Sequence, residues 1–192
     1  HKNIEQISFY KSNDELEEIN FSSTQIVDNR SECIGNNVQD VKHNIKNIPS
    51  NLKTYTNLKI LNLSDNNLED NFIIDGKTID NLSLINNNNL EEIYLHNTEN
   101  YQDIGGNNLT KITDNIFTLS NLSILYISGN NITTLPQNIN KLKNLKNLNL
   151  SNNQITTIPD IITLSNLEEL NLSNNKITKF PQFTTLNIKK LY

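Results

Sequence analysis

One string recurs along this chain and constrains its fold more than any other feature. Leu58, Leu61, Leu63, Asn66 and Leu68 carry the spacing LxxLxLxxNxL; so do Leu122, Leu125, Ile127, Asn130 and Ile132. Two more copies follow at Leu145, Leu148, Leu150, Asn153, Ile155 and at Leu167, Leu170, Leu172, Asn175, Ile177. Starts at Leu122, Leu145, Leu167 and Ile188 are 23, 22 and 21 residues apart. A period of about 20 to 50 residues means one supersecondary unit stacked on copies of itself, which settles the class of fold before composition is considered.

The spacing has a physical reading. Apolar residues at every second position make a short strand with one buried face. The Asn-x-Leu/Ile that follows breaks that alternation and turns the chain back. Apolar–proline pairs recur in the returns, at Ile48-Pro49, Leu135-Pro136, Ile158-Pro159 and Phe180-Pro181. Proline lacks an N–H and fixes φ, which suits an extended or 3₁₀-like return better than a full α-helix. One such unit cannot cover its own apolar residues, so neighbouring repeats must supply the strand hydrogen bonds and the rest of each apolar layer.

These residues resemble the leucine-rich repeat family, and are similar to the repeats of about 22 to 23 residues in bacterial and protist proteins, internalins and the intracellular Ras-binding group. The resemblance implies an α/β solenoid: a curved parallel sheet on the concave side, irregular, 3₁₀ or short helical returns on the convex side, and about eight or nine repeats in one domain over 1–192. It also implies that Asn66, Asn130, Asn153 and Asn175 form an interior ladder, their amides pairing with backbone groups of the turn and of adjacent repeats.

The pattern loosens in places. The copies starting at Leu16 and Leu90 place Thr24 and Thr98 where Asn is expected, and a degenerate copy suggests a strand near 36–43. From Leu58 to Leu90 and from Leu90 to Leu122 is 32 residues each time, which predicts insertions at 69–89 and 99–108. A competing register runs through Ile79, Leu82, Leu84 and Asn87, but the Asn-Leu pair that opens the clear strands favours Asn89-Leu90. Residues 1–15, with Ile4, Ile7 and Phe9, are expected to cap the open end of the solenoid. At the other end Ile188 to Tyr192 stop within a new strand with no polar cap, so either more chain or a partner is expected over them.

Composition excludes several functions. The formal net charge is −5 and the sequence pI about 5.2, so there is no basic excess for gripping nucleic acid. Asn makes up about one residue in five, a bias that reflects an AT-rich genome, yet 35% of residues are hydrophobic and evenly spread, so the chain is expected to fold. Cys33 is alone, which rules out an internal disulfide and leaves a cytoplasmic or a disulfide-free extracellular setting open. No apolar run is long enough for membrane insertion, and the opening HKNIEQ lacks the core of a signal peptide. The chain is expected to be monomeric unless its uncapped C-terminal end pairs.

No catalytic constellation emerges. His1, His43 and His96 stand away from any nucleophile motif, Gly105-Gly106 reads as a turn, and the pairs Glu17-Glu18, Glu91-Glu92 and Glu168-Glu169 read as a solvated face rather than a metal site. No enzyme activity, cofactor or metal is expected. Function in such a solenoid belongs to the strand positions that point out of the concave sheet. The candidate ligand-binding residues are Ile60, Glu92, Tyr94, His96, Ile124, Tyr126, Asn147, Asn149, Glu169 and Asn171. Tyr94 and Tyr126 fall in one column, expected on neighbouring strands about 5 Å apart, where the other copies have Asn.

Exposed tyrosines beside a histidine and an isoleucine suit a protein partner, and this is the expected function: a non-catalytic recognition module. The alternative is a carbohydrate-binding or surface-adhesion module appended to a larger protein. Nine Asn-x-Ser/Thr sequons bear on this, because Asn62, Asn149 and Asn171 would carry glycans on the concave sheet. Either the chain avoids the eukaryotic secretory route, or that face does not bind a protein.

Overall fold

In the expected inward column, Ile19, Leu61, Ile93, Leu125, Leu148 and Leu170 are all buried, and each is the middle residue of a three-residue strand. The computed structural model describes residues 16–20, 45–74, 76–97, 107–159, 164–180 and 188–192. Within them, strands β1 (Glu18–Asn20), β2 (Ile60–Asn62), β5 (Glu92–Tyr94), β6 (Ile124–Tyr126), β7 (Asn147–Asn149), β8 (Glu169–Asn171) and β9 (Lys190–Leu191) form one seven-stranded sheet in that order. Every pairing is parallel and in register, so Glu18, Ile60, Glu92, Ile124, Asn147, Glu169 and Lys190 form one column. One carbonyl per rung accepts two N–H groups from the next, for example Glu91 O from Ser123 (2.8 Å) and Ile124 (3.0 Å).

Behind each strand the chain returns through turns. Among the described residues the only helices are 3₁₀, at Ser50–Thr54, Leu82–Leu84, Ile116–Thr118 and Gln137–Lys141. Pro49 and Pro136 precede the first and last of them, each accepting an i+3 N–H, from Leu52 (3.0 Å) and Ile139 (3.1 Å). Those inward residues join Leu58, Leu90, Leu122, Leu145 and Leu167 in one continuous core.

β1 pairs directly with β2, Glu18 against Ile60, so no strand enters the sheet between them. The return of the β1 repeat is instead taken up at Ile45, whose N–H donates to Asn66 Oδ1 (3.0 Å), as Ile132 N–H does to Asn153 Oδ1 (3.0 Å). The strand expected near 36–43 lies outside the described residues. So do the expected cap at 1–15, Thr24, Cys33, His43, Thr98 and Gly105-Gly106.

The register resolves at Leu90. β5 follows β2 in the seven-stranded sheet, and the competing segment supplies no strand to that sheet. Residues Asn71–Ile74 (β3) and Lys77–Asp80 (β4) make an antiparallel hairpin, turned at Gly76 with φ +73°, and Leu82–Leu84 is a 3₁₀ turn. Gly76 suits that turn, because positive φ costs glycine little. Asn81 holds its base: Nδ2 donates to Lys46 O (3.0 Å) and Glu69 O (2.8 Å), and Oδ1 accepts Ile48 N–H (2.7 Å). No helix among the described residues is long and apolar enough to cross a membrane.

Candidate functional site

Asparagine does three jobs here, and together they hold the outward face in place. In the interior, Asn153 accepts Ile132 N–H and donates through Nδ2 to Ile127 O (3.0 Å) and Leu150 O (3.1 Å). Asn130 and Asn175 make the same set of contacts on their own rungs, and Asn66 accepts Ile45 N–H and donates to Leu63 O. A second ladder, not anticipated from sequence, runs along the strand entrances. There Asn89, Asn121, Asn144 and Asn166 donate to the carbonyls of Thr56, Asn88, Ser120 and Lys143 at 2.8–3.1 Å. The third job is conformational: Asp65, Asn152 and Asn174 (φ 53–54°) and Gly129 (φ +69°) precede ladder asparagines in the left-handed region, where Asn, Asp and Gly are the residues that go at low cost.

In the β5 repeat Asn107 makes the ladder contacts: its Oδ1 accepts Leu68 N–H (3.0 Å), and Nδ2 donates to Leu63 O (2.9 Å) and Leu95 O (3.1 Å). An amide can serve a donor and two acceptors at once, which a threonine hydroxyl cannot. The sequence did hold the signal, since Asn107-Asn108-Leu109 repeats Asn66-Asn67-Leu68. Asn97 clamps the re-entry, accepting Asn107 N–H on Oδ1 (2.7 Å) and donating to Asn107 O (3.0 Å) and Gly129 O. Gly129 is matched to this contact: a Cβ there would stand 2.9 Å from Asn97 Cβ.

All ten candidate binding residues lie on the outward face of the sheet and are half-buried. Ile60, Glu92, Ile124, Asn147 and Glu169 share the first column; Tyr94, Tyr126, Asn149 and Asn171 share the second; His96 stands in a third, level with Ser64, Ser128, Ser151 and Ser173. The outer rungs are self-contained. Asn62, Asn149 and Asn171 accept the N–H and hydroxyl of Ser64, Ser151 and Ser173 at 2.7–3.1 Å, so their side-chain oxygens are already used. Glu17, Glu168 and Glu169 pair with Lys59, Lys189 and Lys190 across rungs. Among the described residues no group of three or more His, Cys, Asp or Glu could hold a metal ion.

The middle rungs differ. Tyr94, His96 and Tyr126 form an aromatic cluster, with centroids 5.4 Å apart for the tyrosines and 6.1 and 6.2 Å from the histidine, each ring edge-on to the others. Tyr94 hydroxyl donates to Glu92 Oε2 at 2.6 Å. Burial, then the hydrogen bond and charge of Glu92, push the phenol up and keep it protonated.

Burial also lowers the pKa of His96 below 6.5, partly offset by the charge of Asp65, and its Nδ1 is buried without a hydrogen-bond partner. The unfolded chain then takes up this proton first as pH falls, so stability holds above pH 6.5 and declines below it. His96→Ser, which installs the residue of the neighbouring rungs, is expected to shrink the loss of unfolding free energy between pH 7.5 and pH 5. An equal loss in parent and variant would assign it to other groups.

The comparisons agree with this architecture. Three leucine-rich repeat profiles match: "Leucine Rich Repeat" at residues 57–82, "Leucine rich repeat" at 103–155 and "Leucine Rich repeats (2 copies)" at 143–187. No curated protein sequence matches. Among solved structures, the chain is similar to a leucine-rich repeat protein of Leptospira interrogans, with 32% identity and TM-score 0.60 over 77% of this chain and 34% of that one. It is also similar to the ectodomain of the Arabidopsis thaliana receptor kinase GASSHO1/SCHENGEN3 in complex with CASPARIAN STRIP INTEGRITY FACTOR 2, with 26% identity and TM-score 0.58 over 83% of this chain and 16% of that one. A third is the plant peptide hormone receptor RGFR1 in complex with RGF2, with 28% identity and TM-score 0.53 over 68% and 19%. The chain thus spans about a third of the first of these proteins and under a fifth of the other two. With a parallel rung every repeat, an interior asparagine ladder and these matches, the chain belongs to the leucine-rich repeat family.

Proposed function

We propose that this chain is a non-catalytic recognition module that binds a peptide or protein partner across the concave face, centred on Tyr94 and Tyr126. The observation that carries the reading is the contrast between rungs. On β2, β7 and β8 the outward asparagines are bonded to their own serines, whereas on β5 and β6 the same column presents an aromatic cluster. Aromatic side chains offer large area at small entropic cost and are enriched where partners bind. Two similar plant receptor structures are complexes with a protein or peptide ligand, which supports a ligand of that kind here.

A paired variant tests it. Tyr94→Ala/Tyr126→Ala is expected to lose at least about 30-fold in capture by an immobilised peptide array, the scale of a binding hot spot of about 2 kcal/mol. Lys53→Ala, exposed on the first 3₁₀ return and away from the sheet face, should change capture little. Unchanged peptide capture by the double variant would remove the patch from the binding site, and capture on a glycan array instead would favour the carbohydrate reading.

A further inference from the structure

Glu92 differs from Glu169, a carboxylate of the same column, in how it is satisfied. Glu169 in the same column meets Lys190 at 3.4 Å, and Glu17 beside it meets Lys59 at 3.0 Å. Glu92 has, among the described residues, a tyrosine hydroxyl rather than a lysine as partner, 2.6 Å from Oε2. A carboxylate offers about four acceptor sites, so one phenol leaves capacity on Glu92. The pairing also works on the ring. A phenol that donates to an anion becomes richer in electrons, which strengthens the negative face that attracts cations.

The surroundings repeat the same chemistry. The tyrosine rings cross at 90° with centroids 5.4 Å apart, and His96 stands at 72° and 71° to them, so the cluster offers more than one ring face and edge to a group placed on it. Along the first column acid and aliphatic alternate on successive rungs: Glu18, Ile60, Glu92, Ile124. Rungs are about 4.8 Å apart, so this stretch sets two carboxylates and two isoleucines within about 15 Å. The chain as a whole carries a net charge of −5, which draws cations toward it from a distance.

Resting on the peptide-binding reading above, we propose that the anchoring group of the ligand is a cationic side chain, an arginine or lysine of an extended peptide. It is held between the Glu92 carboxylate and the faces of Tyr94 and Tyr126, with aliphatic neighbours over Ile60 and Ile124. The carboxylate gives the cation a hydrogen-bonding partner and the rings give it a weakly hydrated seat. Arginine fits both better than lysine, because its flat guanidinium stacks on a ring while donating in-plane. Glu18, one rung beyond Ile60, is placed to extend the preference to a second basic residue.

The test uses an array of nonapeptides with leucine on each side of a fixed central residue, probed with the intact chain, alongside a glycan array. Central arginine or lysine is expected to raise capture at least tenfold over central glutamine or glutamate, and the advantage should shrink as salt increases. Glu92→Gln, which can still accept the Tyr94 hydroxyl, should abolish that advantage while leaving the far-ultraviolet circular dichroism unchanged. Glu168→Gln, at a carboxylate paired with Lys189 and outside the candidate binding residues, should leave it intact. Titration with N-acetyl-arginine methylamide should move the Tyr94 and Tyr126 ring resonances, and its glutamine analogue should not. Peptide capture lost in the double tyrosine variant but indifferent to the central residue would overturn the cation proposal and leave the recognition reading standing. Capture of glycans alone, or of nothing on either array, would overturn both.

Discussion

Replacing Asn107 by alanine is expected to lower the free energy of unfolding by about 3 kcal/mol, measured by urea denaturation. The residue is 1% exposed and serves three backbone groups of two repeats. Those groups are not equally dependent on it. Leu63 O also accepts from Asn66, and Leu95 O from Asn130, so each carbonyl keeps a partner after truncation. Leu68 N–H has no such reserve in the ladder. Leaving one buried donor unpaired costs about 1–3 kcal/mol, and losing two bonds to carbonyls already satisfied costs about 0.5–1.5 kcal/mol each, which is how the total arises. Asn108→Ala, one residue on and exposed, is the control and should cost less than about 0.5 kcal/mol. Asn107→Asp tests the donor half alone: it could still accept Leu68 N–H, but would turn a carboxylate oxygen toward two carbonyls and should be no more stable than the alanine variant. A loss for Asn107→Ala as small as that for Asn108→Ala would mean that the ladder is not continuous through the β5 repeat.

Phe117→Ala is expected to cost about 3–5 kcal/mol by the same measurement. Phe117 is 1% exposed and heads the largest fully buried side chains. Its place in the repeat makes this unusual. The 3₁₀ turns align through their capping bond, in which Leu52, Leu82, Ile116 and Ile139 carbonyls accept the N–H that ends each turn. The residue after each of these is Lys53, Ser83, Phe117 or Asn140, so three returns carry a polar group where the fourth buries a ring. Removing the ring forfeits its transfer energy and leaves a cavity that neighbouring repeats cannot close without shifting a rung. Phe117→Leu, which keeps most of the volume, should cost far less. Lys53→Ala at the equivalent exposed position should stay within about 0.5 kcal/mol of the parent. An alanine cost near 1 kcal/mol would show that the convex layer relaxes around the site.

The candidate surface was legible to the extent that it is periodic. Which residues point outward follows from the two-residue alternation in each strand, and Tyr94 and Tyr126 stand out because the other rungs place Asn there. What the period does not carry is the state of each side chain. That the asparagines of β2, β7 and β8 are bonded to their own serines, that Tyr94 hydroxyl engages Glu92, and that three rings meet within 6.2 Å are facts of three dimensions. Glu18 joined the surface only when β1 proved to be the direct neighbour of β2.

By itself the sequence determined the stacked architecture, the inward and outward faces, and the ladder at Asn66, Asn130, Asn153 and Asn175, because burial of an apolar layer imposes a period that a linear string displays. Tertiary structure decided where the irregular repeats rejoin it: at Asn107, at Ile45, and after a hairpin of β3 and β4. The physical reason is common to all three. An insertion can leave and re-enter a solenoid at any length, and the point of return is selected by which amide can satisfy backbone donors and acceptors of the repeats above and below, partners that are 39 and 44 residues away for Asn107.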